Sequence, residues 1–147
     1  MDLTQAMQEA AAGMQVQGAR MRLVAQNLAN ADSTALGPGG KPYRRQTITF
    51  ANQLDRELGT ERVQIARFGG DRSEFPLRYA PGHPAADADG YVLMPNVNPL
   101  LEMMDLREAQ RSFEANLNAL ILARSMVQRT LDLLREPARS LLRLKAA

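Results

Sequence analysis

The chain has few or none of the residue types on which most catalytic and metal sites depend. Its 147 residues include no cysteine, no tryptophan and a single histidine, His83. The missing thiols exclude disulfides, cysteine nucleophiles and zinc–thiolate sites, and one histidine excludes a histidine-rich metal cage. We therefore expect a protein that is not an enzyme, with no catalytic residue, no cofactor and no bound metal.

Two short motifs suggest ligand binding at first sight, and both are better explained as turns. Gly40-Lys41 ends a glycine-rich loop but lacks the flanking residues of a phosphate-binding Walker A loop. His83, Asp87 and Asp89 lie in a turn-rich segment, where such residues usually cap turns and face water. Neither motif predicts a small-molecule substrate.

Neither charge nor apolar sequence is concentrated enough to mark a nucleic-acid-binding or membrane-spanning protein. Eighteen basic and sixteen acidic side chains leave a net charge of +2 at pH 7, which is a small excess for binding a polyanion. The longest wholly apolar run, residues 119–123, is far shorter than the roughly 20 residues that cross a bilayer. The N-terminus lacks the basic and apolar regions of a secretory signal peptide, so we expect any export to use another route.

The first thirty residues carry the pattern of a long helix that packs against a partner. Between residues 3 and 28, apolar side chains recur at alternating steps of three and four, as in a heptad seam. Small residues follow a flanking edge at seven-residue spacing, where another backbone can approach closely: Ala11, Gly18 and Ala25. The seam itself consists of Leu3, Met7, Ala10, Met14, Met21, Val24 and Leu28.

The middle of the chain, residues 35–95, predicts a loop followed by a small β-rich segment. Glycine and proline between Gly37 and Pro42 exclude a continuing helix. Aromatic and β-branched residues then predict short strands within residues 43–50, 63–68, 75–79 and 91–94.

Residues 96–134 predict a second long helix. Asn98 is placed to cap its start, and Pro99 suits the first helical position. At 1.5 Å per residue its seam is about 45–50 Å long, which is more than the small middle segment can cover. The seam consists of Met103, Leu106, Phe113, Leu117, Leu120, Val127, Leu131 and Leu134, with Gln110 and Arg124 as polar exceptions.

The last residues, 135–147, form a basic tail. Four basic side chains against Glu136 give it a local charge of +3, and its leucines suit one helical face. We expect Pro137 to break the preceding helix so that the tail leaves its axis. An acidic partner surface or anionic lipid would suit such a tail, and a solvated terminus explains it equally well.

Together these patterns predict a mainly α fold, in which long N- and C-terminal helices pack as a coiled-coil-like pair around a small β-rich middle segment. We divide the chain into an N-terminal helix at 1–34, a loop and β-rich segment at 35–95, a C-terminal helix at 96–134 and the basic tail at 135–147.

Several segments resemble a known family. Residues 27–33 read Asn-Leu-Ala-Asn-Ala-Asp-Ser, and a Gly-Pro-Gly-Gly loop and Pro-Tyr-Arg at 42–44 follow. This stretch resembles the N-terminal signature of the flagellar rod and hook proteins. Residues 79–84, 86–92 and 94–98 look like the proximal-rod members of that family, and further matches in the last helix extend the resemblance to residue 133.

The resemblance implies a structural subunit of the proximal rod in the bacterial flagellar basal body. It implies that both terminal helices pack along the axis of a helical drive-shaft tube, while the middle segment faces outward. It also implies export by the flagellar type III apparatus, without a cleavable signal peptide, to a periplasmic rod. The implied partners are other copies of the chain and other rod subunits, with no nucleic acid or small-molecule substrate. The tail after residue 133 and the loop at 33–42 depart from the family pattern.

We expect the assembly interface to combine the two helix seams with the two asparagines of the signature. Long seams at both ends of a chain provide the head-to-tail contacts from which helical filaments grow, although a soluble coiled-coil adaptor that forms a closed oligomer would carry similar seams. The two asparagine amides either satisfy orphan groups at the helix end or merely stop the helix. The expected interface residues are Met7, Met14, Met21, Leu28, Asn27, Asn30, Met103, Leu106, Phe113, Leu117, Leu120, Val127 and Leu131.

Overall fold

Two long helices bracket two small sheets. The computed structural model describes residues 3–55 and 60–145, with side chains described at residues 3–53 and 63–135. The elements follow in the order α1 (Leu3–Ala29), β1 (Gln46–Asp55), β2 (Thr60–Gly70), β3 (Leu77–Tyr79), β4 (Tyr91–Leu93) and α2 (Pro99–Lys145). This order confirms the predicted mainly α fold with a β-rich middle segment.

The two helices lie side by side and run antiparallel. Asn27, near the end of α1, contacts Glu102 near the start of α2, whereas Gly13 lies against Asn116 further along α2. At 1.5 Å per residue α1 is about 40 Å long and α2 about 70 Å. The same register brings Leu3 beside about residue 126, so the rest of α2 extends past the described end of α1.

The start of α2 confirms the predicted cap. Asn98 Oδ1 accepts hydrogen bonds from the backbone N–H groups of Leu100 (3.0 Å) and Leu101 (3.4 Å), and Pro99 is the first helical residue. Because a helix leaves its first N–H groups without partners in the helix, this side chain stabilises the first turn.

The prediction that Pro137 breaks the helix is wrong, because α2 continues to Lys145. A proline inside a helix removes one backbone hydrogen bond and costs about 3 kcal/mol, and the strong helix formers on either side offset this cost. The predicted docking of the tail depends on side chains after residue 135, which lie outside the described residues.

The β-rich segment consists of two antiparallel pairs. Strands β1 and β2 form a long hairpin with a register shift between Thr49 and Phe50, and its strands also contact α1. Strands β3 and β4 pair Leu77 with Leu93 and Tyr79 with Tyr91. The hairpin and the β3–β4 pair are separate two-stranded sheets.

The buried core is thin and made mostly of small side chains. Its described apolar members are Ala10, Val16, Ala19, Leu23, Val24, Ala85, Val92, Ala109 and Ala123. Many larger apolar side chains are exposed, and most of these lie on α2. The helices therefore pack closely through small residues and leave much of their large apolar surface outside the pair.

Candidate assembly surfaces

A polar cluster with a buried centre joins the end of α1 to the start of α2. We call it the junction cluster, and it consists of Asn27, Tyr43, Arg45 and Glu102. Asn27 Nδ2 donates to the backbone oxygen of Gln46 (2.9 Å) and to Glu102 Oε2 (3.1 Å). Asn27 Oδ1 accepts from the Tyr43 hydroxyl (2.9 Å) and from the Gln46 N–H (2.9 Å). Every hydrogen-bonding position of this amide is thus occupied within the chain.

The carboxylate of Glu102 is the negative centre of the junction cluster. It is 0% exposed, and its Oε1 accepts a hydrogen bond from Arg45 Nε. Burial and, second, the charge of Glu102 raise the pKa of Tyr43 above its ordinary value, so the hydroxyl remains a donor to Asn27. Because a buried charge is tolerated when it is paired and hydrogen-bonded, Arg45 and Asn27 together keep Glu102 in place.

Further charges surround Arg45 on the outer side of the cluster. Its guanidinium lies 3.7 Å from an Asp71 oxygen and 3.6 Å from an Asp105 oxygen, and Asp105 also pairs with Arg20 of α1 at 3.2 Å. Burial alone would lower the pKa of Arg45, but the hydrogen bond to Glu102 and the neighbouring carboxylates raise it above its ordinary value. This network ties the loop before β1 to both helices.

The two signature asparagines have different positions. Asn27 is fully buried, whereas Asn30 lies at the surface, where its amide donates to the Gln26 backbone oxygen (2.9 Å) and accepts from Ser33 (3.1 Å). Asn30 therefore shapes the turn after α1, and Asn27 holds that turn onto α2 and β1. Of the two roles considered from the sequence, satisfying a backbone group at the helix end describes Asn30, which bonds the Gln26 oxygen, whereas Asn27 bonds the backbone of Gln46 in β1.

The residues of α2 that face α1 match the predicted seam only in part. Predicted seam residues such as Phe113 and Val127 are half-buried, but Met103 and Leu131 are 45% and 52% exposed. The alternate positions are shifted back by one residue to a line made of Glu102, Ala109, Asn116 and Ala123. Met103 therefore lies outside the contact between the two helices, and Leu131 lies beyond the described part of α1. The two helices approach each other closely along this line because its residues are small or polar. The predicted seam positions Leu106, Leu117 and Leu120 are half-buried.

The methionine stripe of α1 lies at the edge of the helix pair. Met7, Met14, Met21 and Leu28 are all half-buried. The last three each directly follow a residue that contacts α2, namely Gly13, Arg20 and Asn27. Each keeps part of its apolar surface open. The stripe therefore borders the α1–α2 contact without filling it.

Predicted seam residues from both helices meet in one open groove. Met14 and Gly18 of α1 line it with Phe113 and Leu120 of α2, and its volume is about 450 Å³. A Cβ atom built on Gly18 would meet nothing within 4 Å. The small-residue edge predicted on α1 is therefore uncovered at this point.

Two of the residues that could suggest ligand binding, His83 and Asp87, stabilise turns. His83 Nδ1 accepts from the Ala85 N–H at 3.1 Å, and Asp87 Oδ1 accepts from the N–H groups of Asp89 (3.0 Å) and Tyr91 (2.8 Å). Within the described residues there is no group of histidine and acidic side chains placed to hold a metal ion. The helices described here are also not long and apolar enough for a membrane span.

Sequence reasoning did not identify Tyr43, Arg45 and Glu102 as a cluster. A signal for Glu102 was present, because it is a lone carboxylate in the run Leu-Leu-Glu-Met-Met at residues 100–104. A charge at that place in an apolar stretch indicates a buried partner or an interface.

Comparison with known proteins agrees with the resemblance seen in the sequence. Residues 88–133 match the model of the flagellar basal body rod FlgEFG protein C-terminal family. The chain is 50% identical over 133 residues to the flagellar basal-body rod protein FlgC of Agrobacterium fabrum, covering 90% of this chain and 96% of that one. It is 41% identical to the FlgC of Salmonella typhimurium over 84% of this chain and 92% of that one. For the FlgC of Borreliella burgdorferi the identity is 35%, over 91% and 99%.

Proposed function

This chain belongs to the FlgC family of flagellar basal-body rod proteins, and we propose that it assembles through its two terminal helices into the helical tube of the proximal rod. Family membership makes it a structural subunit of the flagellar rod that associates with other basal-body components, and not an enzyme.

One observation carries the proposal: α2 exposes large apolar side chains that α1 does not cover. Met103, Met126 and Leu131 are each about half exposed. Burying apolar surface contributes about 25 cal/mol per Å², and a single chain leaves this contribution unused. A neighbouring subunit that covers these residues supplies the stabilisation.

The proposed contact joins two different surfaces of the chain. The uncovered residues on α2 meet the half-covered methionine stripe of α1 in the next copy, in a head-to-tail arrangement that does not close after two copies. Contacts of this type build helical tubes. In this proposal the contacts come from the helices at 1–34 and 96–134, and the segment at 35–95 faces outward.

The proposed interface keeps most of the residues predicted from the sequence. Those with open apolar surface are Met7, Met14, Met21, Leu28, Met103, Leu106, Phe113, Leu117, Leu120, Val127 and Leu131. Asn27 contributes indirectly, by holding the helix pair in register. The partners are other copies and other rod subunits, and we propose export by the flagellar type III apparatus, without a cleavable signal, to the periplasm.

A paired-variant experiment tests this proposal. Met103→Gln with Leu131→Gln makes two exposed apolar positions polar, and Glu114→Gln with Asn118→Ser is the matched control at exposed polar positions of the same helix. Each pair replaces the native residues in the producing bacterium, and motility and the subunit content of purified basal bodies are measured.

We expect the first pair to fold like the native chain but to be absent from basal bodies, and the control to be incorporated. Normal incorporation of both pairs would overturn the proposal. A discrete closed oligomer of the purified chain that never enters basal bodies would instead support a soluble adaptor.

A further inference from the structure

The β3–β4 sheet presents an apolar face that the described chain leaves partly exposed. Leu77 pairs with Leu93 and Tyr79 with Tyr91, and alternate residues of a strand lie on the same face. All four side chains are exposed, by between 37% and 65%. We call these four residues the sheet patch.

The sheet patch has an ordered local structure. The rings of Tyr79 and Tyr91 pack edge to face with centroids 5.3 Å apart, and the opposite face of the sheet carries Val92, which is buried. Gly90 has a φ of +84°, and a Cβ there would lie 2.9 Å from the Tyr79 ring. The turn before β4 therefore needs glycine at this position, because any other side chain would strain the backbone and clash with the Tyr79 ring.

Negative charge borders the sheet patch at one end. Asp87 and Asp89 lie in the turn that leads into Tyr91, and Asp87 holds that turn through the Tyr91 N–H at 2.8 Å. Asp89 is exposed. A partner surface matched to the sheet patch is thus apolar with a basic group at one end.

The outward face of the second half of α2 has this chemistry. Ile121 and Leu122 are 56% and 61% exposed, and Arg129 follows Leu122 by seven residues, on the same helical face. Residues 115–131 contain two arginines and no acidic residue. We call Ile121, Leu122 and Arg129 the distal face.

The dimensions of the two surfaces also agree. A two-stranded sheet is about 5 Å between strand axes and offers room for one helix packed about 10 Å above it. Seven helical residues span about 10 Å, so a helix with Leu122 over the tyrosines brings Arg129 toward the end of the sheet where Asp89 lies.

We propose that the sheet patch of one subunit binds the distal face of α2 from a second copy of this chain, with Arg129 of that copy beside Asp89. The inference rests on the proposed rod assembly and adds an outer contact to the one between helices. The patch and the distal face are different surfaces of one chain, so one copy can use both at once, and in the proposed rod the contact repeats head-to-tail from copy to copy.

Cross-linking tests the proposal directly, because the chain has no cysteine of its own. Ala88→Cys lies beside the acidic turn and Gln128→Cys beside Arg129, and both native residues are exposed. The two single variants are co-expressed in the producing bacterium, basal bodies are purified, and a short bismaleimide is added. The matched control replaces Ala88→Cys with Arg78→Cys, at an exposed position on the opposite face of β3.

We expect a covalent dimer of this chain from the first combination and its loss in the control. Charge reversal gives a second readout: Asp89→Lys or Arg129→Asp alone should abolish the cross-link, and the two together should restore it. A link from Ala88→Cys to a different rod protein, or no link although both variants are present in basal bodies, would overturn the proposal and leave the rod function intact. Absence of the native chain from purified basal bodies would instead contradict the proposed function.

Discussion

Asn27 Nδ2 donates a hydrogen bond to Glu102 Oε2 across 3.1 Å, between residues that are 75 positions apart in the chain. Both side chains are 0% exposed. A buried amide that also bonds the loop before β1 holds the two terminal helices and the middle segment in one arrangement. This bond sets the register in which the helix pair presents its apolar surfaces.

The first prediction concerns the amide of Asn27. Asn27→Ala leaves buried partners unpaired, and each such group costs about 1–3 kcal/mol, so we expect the free energy of unfolding to fall by about 3 kcal/mol. Urea denaturation measures this change. Asn30→Ala, at the surface position of the same signature, is the control and should cost less than about 1 kcal/mol. Equal losses in the two variants would contradict the role given to Asn27.

The second prediction separates two glycines of α1. Gly18 has open space around it, so Gly18→Ala should stabilise the chain by about 0.5–1 kcal/mol through helix propensity. A Cβ on Gly13 would lie 2.7 Å from Asn116 Nδ2, and moving that amide offsets the gain. Thermal unfolding of the two variants should therefore show a higher Tm for Gly18→Ala alone, and equal gains would show that α2 does not lie against Gly13.

The third prediction concerns acid sensitivity at Asp71. Hydrogen bonds from the N–H and the side chain of Ser73, together with the neighbouring Arg45 charge, outweigh the opposing effect of burial and lower the pKa of Asp71 below its ordinary value of 3.8. The unfolded chain therefore takes up this proton at higher pH than the folded chain, and stability falls as the pH falls below about 4. Asp71→Asn should remove this part of the pH dependence below about pH 4. An unchanged acid limb in urea titrations would contradict the assigned pairing.

Local features of the fold could be predicted from the sequence, and long-range ones could not. The Asn98 and Pro99 start of α2 depends on adjacent residues, so the sequence alone predicts it. The partners of Glu102 come from α1 and from the loop before β1, and no periodicity links them. Heptad counting also favours large apolar side chains as the contact, so it chose Met103 where the structure uses the neighbouring Glu102.

The fourth prediction concerns the two ends of the helix pair. The junction cluster holds the end of α1 to the start of α2, whereas α2 after about residue 126 has no described α1 residue beside it. Backbone amides of Leu23 and Ala109 should exchange slowly in the purified chain, and those around Leu131 should exchange fast. Uniform protection along α2 would show that the distal part of this helix has a partner before assembly.

The central claim, that α2 is buried against other subunits in the rod, is tested most directly by the accessibility of an engineered cysteine. Leu131→Cys stands at an exposed apolar position of α2 and Thr49→Cys at an exposed position of the β1–β2 hairpin, in a chain without native cysteine. The rate of maleimide labelling is measured for each variant in the purified chain and in intact basal bodies. The account predicts that assembly protects Leu131→Cys and leaves Thr49→Cys reactive, and equal labelling of Leu131→Cys before and after assembly would contradict it.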